Sequence, residues 1–309
     1  MTQTDAFTFS STAGNPLDGR LWLPGGQPRA VVQLVHGMAE HIDRYERLAR
    51  HLNTQGIAVT GHTHLGHGPQ AAILGHFSDQ DGWQHLIDDV HRLRQRTQAC
   101  FPGVPYFVLG HSMGSFVTRC YLREHGEGLA GAILCGTGYF SQAKLTAALL
   151  AANLVCLLGG ARKPCPLIDR LAFGGSNRPF APSRTTFDWL SRDEAEVDRY
   201  IADPYCGFPF TGSGYRELFR GLWRLTDLKP LQRIPKTLPL LMISGDADPI
   251  GGMGKGVERV AQQFREAGLE QVNLKLYPGA RHELFNETNR DEVCQDVADF
   301  IQRVEAAMD

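Results

Sequence analysis

The segment YFVLGHSMGSF carries a serine between two glycines, in the pattern Gly110-x-Ser112-x-Gly114. It follows an apolar run typical of a buried strand and precedes a helical pattern. A sharp strand-to-helix turn with this spacing lifts a serine hydroxyl clear of a sheet, and glycines beside it relieve the crowding. The pattern therefore predicts that Ser112 is a nucleophile at the start of a helix; the alternative is a glycine-rich turn with an ordinary serine.

A serine nucleophile needs a general base, and the base needs a third group that orients it. The turn at Ser112 predicts both partners downstream, with the acid before the histidine. His282, in YPGARHELFNE, is the only histidine after His125. Asp246 and Asp248, in LLMISGDADPIGG, both follow an apolar strand. Their spacing does not choose between them.

Acyl transfer also requires two hydrogen-bond donors for the oxyanion that develops in the transition state. The residue after the nucleophile, Met113, can supply one backbone N–H. The second donor is expected from the loop after an early strand. VVQLVHGMAEH provides such a loop and places the backbone of Met38 in that position.

A second constellation lies in GHTHLGHG, where His62, His64 and His67 fall within six residues. Histidines two and three residues apart can converge on one zinc ion. The alternatives for this segment are therefore a zinc-dependent hydrolase site or a structural glycine-histidine turn. A hydrolase-fold binding protein without catalysis is a third alternative for the whole chain, although all the triad residue types are present.

The elements that must position these residues alternate between short apolar runs and helical patterns. Such alternation predicts an α/β fold with a doubly wound, mostly parallel sheet. Strands are predicted at 20–23, as an edge strand, and at 31–35, 57–60, 106–109, 132–135, 240–243 and 273–277. Helices are predicted near 41–55, 83–99, 113–126, 253–267 and 289–306.

One region breaks this alternation and predicts a separate layer of structure. Residues 137–230 show helical pieces rich in Pro and Gly but no convincing strand. We expect a helical cap there, inserted between two parts of the core, 1–136 and 231–309. Open α/β sheets bind ligands at the carboxyl ends of their strands, where such an insertion lies.

Composition restricts the partners and the compartment. The 309 residues carry a net charge of −2, which gives no electrostatic basis for binding nucleic acid. The polar first ten residues lack a secretory signal, and seven scattered cysteines favour a reducing, cytoplasmic location. The apolar stretch Ala148–Gly160 is shorter than the ~20 residues of a transmembrane helix. No cofactor is implied, and the oligomeric state cannot be inferred.

Two further features leave alternatives open. Glu40, His41 and Tyr45 either brace the loop at Met38 or cap the following helix. The apolar segment 148–158 lines an acyl pocket, makes transient contact with a membrane surface, or forms a buried cap helix. The buried helix is the favoured interpretation.

Five segments together resemble the monoacylglycerol lipase and lysophospholipase-like α/β-hydrolases, also grouped with the serine aminopeptidases of type S33. They are HGMAEHIDRY, HLGHG, GHSMGSF, SGDADPIGG and GARHELFNE, in this order along nearly the whole chain. Where this family usually opens the GHG turn with Asp-His-Arg, the chain has Thr63-His64-Leu65.

The resemblance implies a serine esterase without a cofactor, acting on small esters with an apolar acyl chain. It implies Ser112 as nucleophile, His282 as base and Asp248, rather than Asp246, as the acid. It implies the amides of Met38 and Met113 as oxyanion donors. It also implies that Gly66-His67-Gly68 is a structural turn.

Overall fold

A computed structural model describes residues 3–308, within which eight strands form one sheet. The strands are β1 (Gln3–Ser10), β2 (Pro16–Leu23), β3 (Ala30–Val35), β4 (Ile57–His62), β5 (Tyr106–His111), β6 (Gly131–Cys135), β7 (Leu240–Gly245) and β8 (Val272–Tyr277).

The sheet has the order β1-β2-β4-β3-β5-β6-β7-β8. The pairs β1/β2 and β2/β4 are antiparallel, and the remaining pairs are parallel. The strand predicted at 20–23 is present as part of β2, but its predicted place at the edge is wrong, because β1 pairs with β2 along its whole length. Phe7 and Phe9, two residues apart, carry the alternating pattern that would have revealed β1.

Nine α-helices are present within residues 3–308, and those predicted around the core lie close to their expected positions. They are α1 (Glu46–Thr54), α2 (Gly82–Cys100), α3 (Met113–His125), α4 (Gln142–Val155), α5 (Pro166–Phe173), α6 (Glu194–Ala202), α7 (Gly212–Arg224), α8 (Lys255–Glu266) and α9 (Arg290–Ala306).

The helices cover both faces of the parallel part of the sheet. Ile133 and Cys135 of β6 join the apolar cluster that contains α1 and α9. Ala132 and Leu134 point the other way, toward the cluster that contains α8. Because these strands are buried on both faces, their sequences are continuous apolar runs. The doubly wound α/β fold is confirmed.

The region between β6 and β7 contributes the four helices α4 to α7, at the carboxyl ends of the parallel strands. We call residues 137–230 the cap. Helix α7 packs against α2, α3 and α4, which connects the cap to the layer beneath it.

Candidate active site

Ser112 lies at the turn between β5 and α3 with φ of 51° and ψ of −120°. A left-handed φ is uncommon for a residue with a side chain and persists only where the surroundings enforce it. A Cβ on Gly110 would lie 2.3 Å from Thr118 Oγ1, and one on Gly114 would lie 1.9 Å from the carbonyl oxygen of Val35. Both positions therefore require glycine, and the turn exposes the serine hydroxyl beyond the strand end.

Ser112, His282 and Asp248 form one line of hydrogen bonds. The Ser112 Oγ lies 2.8 Å from His282 Nε2, and His282 Nδ1 lies 2.9 Å from Asp248 Oδ2. The second oxygen of Asp248 accepts the Ile250 N–H at 2.8 Å. Asp246 is instead exposed, and it accepts the Gly279 N–H at 2.7 Å. With the proton on His282 Nδ1 donated to the Asp248 carboxylate as a hydrogen bond, Nε2 is unprotonated and can accept the serine proton.

The two histidines nearest Ser112 respond differently to burial. Burial disfavours the cation of His282, but the charge of Asp248 and its hydrogen bond outweigh this effect and raise the His282 pKa above 6.5. The ring of His111 lies 5.0 Å from that of His282. Burial, followed by repulsion from His282, lowers the His111 pKa to about 4. His111 is therefore neutral wherever His282 titrates.

The 37–40 loop, which follows β3, lies directly against Ser112. A Cβ on Gly37 would be 3.1 Å from the Ser112 Cβ. Met38 of this loop and Met113 of α3 both border the space above the serine. The two residues whose amides are predicted to bind the oxyanion, Met38 and Met113, therefore border the same space as Ser112.

Glu40 braces the 37–40 loop rather than capping a helix. Its Oε1 accepts the Gly37 N–H at 2.5 Å and the Tyr45 hydroxyl at 2.7 Å. Ala39 has a φ of 51°, and its N–H donates to His67 Nε2 at 3.2 Å. These contacts decide the question that the sequence left open for Glu40 and Tyr45.

Arg44 joins this loop to the His282 loop, a function that the sequence analysis missed. Its guanidinium donates to Glu40 Oε2 at 2.7 Å and to both oxygens of Glu283 at 2.6 Å. Although burial favours the neutral acid, Arg44 lowers the pKa of Glu283, which stays ionised. Because Glu283 directly follows His282, this ion pair holds the backbone of the loop that contains His282.

A cavity of about 780 Å³ lies above Ser112 and His282, between the sheet and the cap. This volume lies within the ~300–1,000 Å³ of ligand sites in general. Trp189 of the cap covers the imidazole of His282, with ring centroids 5.1 Å apart. The remaining wall is largely apolar and includes Phe116, Phe140, Leu145, Ile168, Phe173, Phe208, Leu218, Phe219 and Leu222.

The favoured interpretation of segment 148–158 as a buried cap helix is wrong. One helical run continues from Gln142 to Gly160; its 19 residues are long and apolar enough to cross a membrane by length and composition, and only 11% of its most apolar part is buried. The apolar stretch Ala148–Gly160 noted in the sequence is therefore the second part of a longer helical run. The helix lines the cavity with Leu145, Ala148 and Ala151 and exposes leucines on its outer side.

We call the exposed leucines of α4, α5 and their connection the leucine patch. Large outward apolar patches are rare on monomeric soluble proteins. The members of the leucine patch, each between 57% and 83% exposed, are Leu150, Leu154, Leu157, Leu158, Leu167 and Leu171.

The histidines of GHTHLGHG do not converge on one point. His67 uses both ring nitrogens, since Nδ1 lies 2.9 Å from the Leu65 carbonyl and Nε2 accepts the Ala39 N–H. His62 Nε2 lies 3.3 Å from His64 Nδ1, an imidazole pair rather than two ligands facing an ion. The arrangement favours the structural turn over the zinc-site alternative.

Comparisons with known proteins identify the family of this chain. The model of the family described as serine aminopeptidase, S33, matches residues 26–289. The monoacylglycerol lipase of Mycolicibacterium smegmatis is 30% identical over 297 residues, 95% of each chain. The human monoglyceride lipase is 31% identical, over 89% of this chain and 82% of the human one.

A solved structure of a thermostable carboxyl esterase from Bacillus coagulans, in complex with glycerol, superposes with a TM-score of 0.92. It is 30% identical, and the match covers 98% of this chain and 99% of the esterase. The chain therefore belongs to the serine aminopeptidase S33 family of α/β-hydrolases, and it is a carboxylic ester hydrolase.

Proposed function

We propose that the chain hydrolyses monoacylglycerol-like or lysophospholipid-like esters, which join one apolar acyl chain to a small polar alcohol. The observation that carries this proposal is the hydrogen-bonded line Asp248–His282–Ser112 on the floor of a largely apolar cavity. The relatives named for monoacylglycerol hydrolysis support the same substrate class.

In this mechanism the Ser112 Oγ attacks the ester carbonyl while His282 Nε2 takes its proton. The amides of Met38 and Met113 stabilise the oxyanion, and one such donor is typically worth ~10²–10³ in rate. His282 then protonates the leaving alcohol, which departs and leaves an acyl-serine. Water, deprotonated by His282, releases the acid and restores Ser112. Asp248 holds the imidazole tautomer throughout.

The nucleophile is tested by intact mass after treatment with a short-chain and a long-chain fluorophosphonate. We expect one adduct on the wild type and on Ser115→Ala, whose hydroxyl only donates to the Ser112 carbonyl at 2.6 Å. We expect none on Ser112→Ala. A folded wild type that neither probe labels would reject serine catalysis and favour a non-catalytic binding protein.

The acyl site is tested by tryptophan substitution on the two sides of α4. Leu145 is 4% exposed and borders the cavity, whereas Leu150 is 66% exposed. Leu145→Trp should lower kcat/KM for long-chain monoacylglycerols at least tenfold more than for butyrate esters, because it fills the apolar wall. Leu150→Trp is the matched control and should leave this ratio unchanged. Equal ratios in both variants would place the acyl chain elsewhere.

We further propose that the leucine patch contacts the lipid surface that carries the substrate. Apolar side chains at a lipid–water interface gain from burial among acyl chains, and Leu171 belongs to both the patch and the cavity wall. We expect Leu157→Glu with Leu158→Glu to reduce hydrolysis of vesicle-borne monoacylglycerol but not of a soluble short ester. Equal losses on both substrates would contradict contact with lipid.

A further inference from the structure

A cluster of three different side chains lies at the contact between the cap and the 37–40 loop. His41 directly follows that loop, while Asp203 and Cys206 belong to the cap segment after α6. His41 Nε2 lies 2.9 Å from Asp203 Oδ2, and one donor atom from each of the three residues lies within 4.8 Å of the others. The side chains of His41 and Asp203 are 14% and 29% exposed, so an ion can reach them from solvent.

The donor set is one imidazole nitrogen, one carboxylate oxygen and one sulfur. Zinc binds these three donors at about 2.0–2.3 Å in tetrahedral geometry, which places neighbouring ligand atoms roughly 3.3–3.8 Å apart. The His41–Asp203 separation of 2.9 Å is shorter than this range, and no donor pair is more than 4.8 Å apart, so small side-chain rotations would bring the atoms onto one ion. A thiolate ligand selects zinc-like cations over magnesium or calcium.

One ligand of the cluster is held by a neighbouring backbone group, and another has a carboxylate nearby. Asp203 Oδ1 accepts the Tyr205 N–H at 2.8 Å, which fixes the carboxylate. A carboxylate oxygen of Asp43 lies 4.0 Å from His41 Nδ1, the ring nitrogen that faces away from Asp203. Metal-bound histidines usually donate their second ring N–H to a carboxylate, and Asp43 stands on that side of His41 although it is beyond hydrogen-bond distance.

A second cluster in the structure lacks these properties. Asp88, Glu124 and His125 also approach one another, but they include no sulfur donor. Gln84 donates to both carboxylates at 3.0 and 2.9 Å, and Arg224 pairs with Glu124 at 3.2 Å. This cluster is a hydrogen-bonded surface network rather than a site for a thiophilic ion.

The cluster of His41, Asp203 and Cys206 lies where the cap contacts the 37–40 loop. The Gly207 N–H donates to the Ala39 carbonyl at 3.0 Å, and the Tyr200 hydroxyl donates to the same oxygen at 3.1 Å. The cap therefore already docks on the 37–40 loop beside the cluster. An ion held by both parts would add a direct bond between them.

We propose that His41, Asp203 and Cys206 form a binding site for a zinc-like divalent cation, which fastens the cap to the 37–40 loop. Binding replaces the His41–Asp203 hydrogen bond with coordination of both groups and of the Cys206 thiolate, whose proton is released to solvent. Water fills the fourth position. The site is separate from the Ser112 line and does not depend on the proposed function.

The test is a titration of the full-length protein with Co²⁺, followed by competition with Zn²⁺. Cobalt bound to a thiolate gives a near-ultraviolet charge-transfer band. We expect one equivalent to produce this band in the wild type and in Cys100→Ser, which removes an exposed thiol. Cys206→Ser should abolish the band, Asp203→Asn should weaken binding at least tenfold, and Zn²⁺ should displace the cobalt.

Thermal unfolding of each metal-free variant verifies that it is folded, and Zn²⁺ should raise the Tm of the wild type and of Cys100→Ser but not of Cys206→Ser. The proposal is overturned if the wild type shows no band. It is equally overturned if the band survives in folded Cys206→Ser, or if Cys100→Ser loses it.

Discussion

His282 and the histidines at the end of β4 are equally buried, but their pKa values are shifted in opposite directions. His282 follows β8 and is 2% exposed; His62 ends β4 and His67 follows it, at 0% and 2%. Asp248 raises the His282 pKa above 6.5 despite burial. Burial lowers the pKa of His62 to about 3 and that of His67 to about 4. The facing partner, not the degree of burial, decides whether a histidine can cycle a proton.

The two groups nevertheless serve the same site. His67 is a neutral hydrogen-bonding link that accepts the Ala39 N–H, and His36 Nε2 accepts the His64 N–H at 2.9 Å. Both contacts hold the segment that contains Met38. One group is thus suited to proton transfer, while the other positions a neighbouring loop.

The largest expected effect comes from removing the charge of Asp248, the carboxylate that distinguishes His282 from the other buried histidines. Asp248→Asn should lower kcat/KM on a soluble ester by about 10⁴-fold, because the amide favours the wrong imidazole tautomer. Asp246→Asn, the matched control, should change kcat/KM by only a few-fold, since Asp246 is exposed and bonds only a loop amide. Comparable losses, or the reverse order, would contradict the role proposed for Asp248.

A smaller effect concerns stability, through His62. Unfolded His62 takes up a proton below pH 6.5, whereas the folded residue stays neutral to about pH 3, so stability falls as the pH drops through this window. Between pH 7 and pH 5 this amounts to about 2 kcal/mol. His62→Gln should reduce the pH dependence of the unfolding free energy, from denaturant titration, by that amount.

The control for His62 is the range from pH 8 to pH 9, where this residue is neutral in both states. There the unfolding free energies of His62→Gln and the wild type should run parallel. An unchanged pH dependence between pH 7 and pH 5 would show that folded His62 accepts a proton in that range.

The smallest expected effect is a shift in the pH dependence of kcat/KM. The proposed base must be neutral, so kcat/KM should rise with pH with a midpoint above 6.5. Asp248→Asn should move this midpoint to lower pH, because burial then acts on His282 without an opposing charge. Asp246→Asn should leave it in place. A wild-type midpoint below 6.5 would contradict the paired arrangement of His282 and Asp248.

Patterns between neighbouring residues predicted much of the fold and of the candidate site. Continuous apolar runs marked the strands β3 to β7, and an alternating run marked the half-buried edge strand β8. The glycines around Ser112 marked the turn whose crowding the structure reveals. The alternation in β1 was overlooked, and β2 was therefore assigned to the edge. The roles of Ser112, His282, Asp248, Met38 and Met113 stay predictions until the substitutions are measured.

The sequence by itself determined the α/β class and the residue types available for chemistry, because strand, helix and turn preferences act over a few residues. Only the tertiary structure decided which distant groups meet. Arg44 and Glu283 lie 239 positions apart, and His41 and Asp203 lie 162 apart. The exposed side of α4 was equally undetermined, because its apolar residues surround the helix and only packing against the core selects the buried ones.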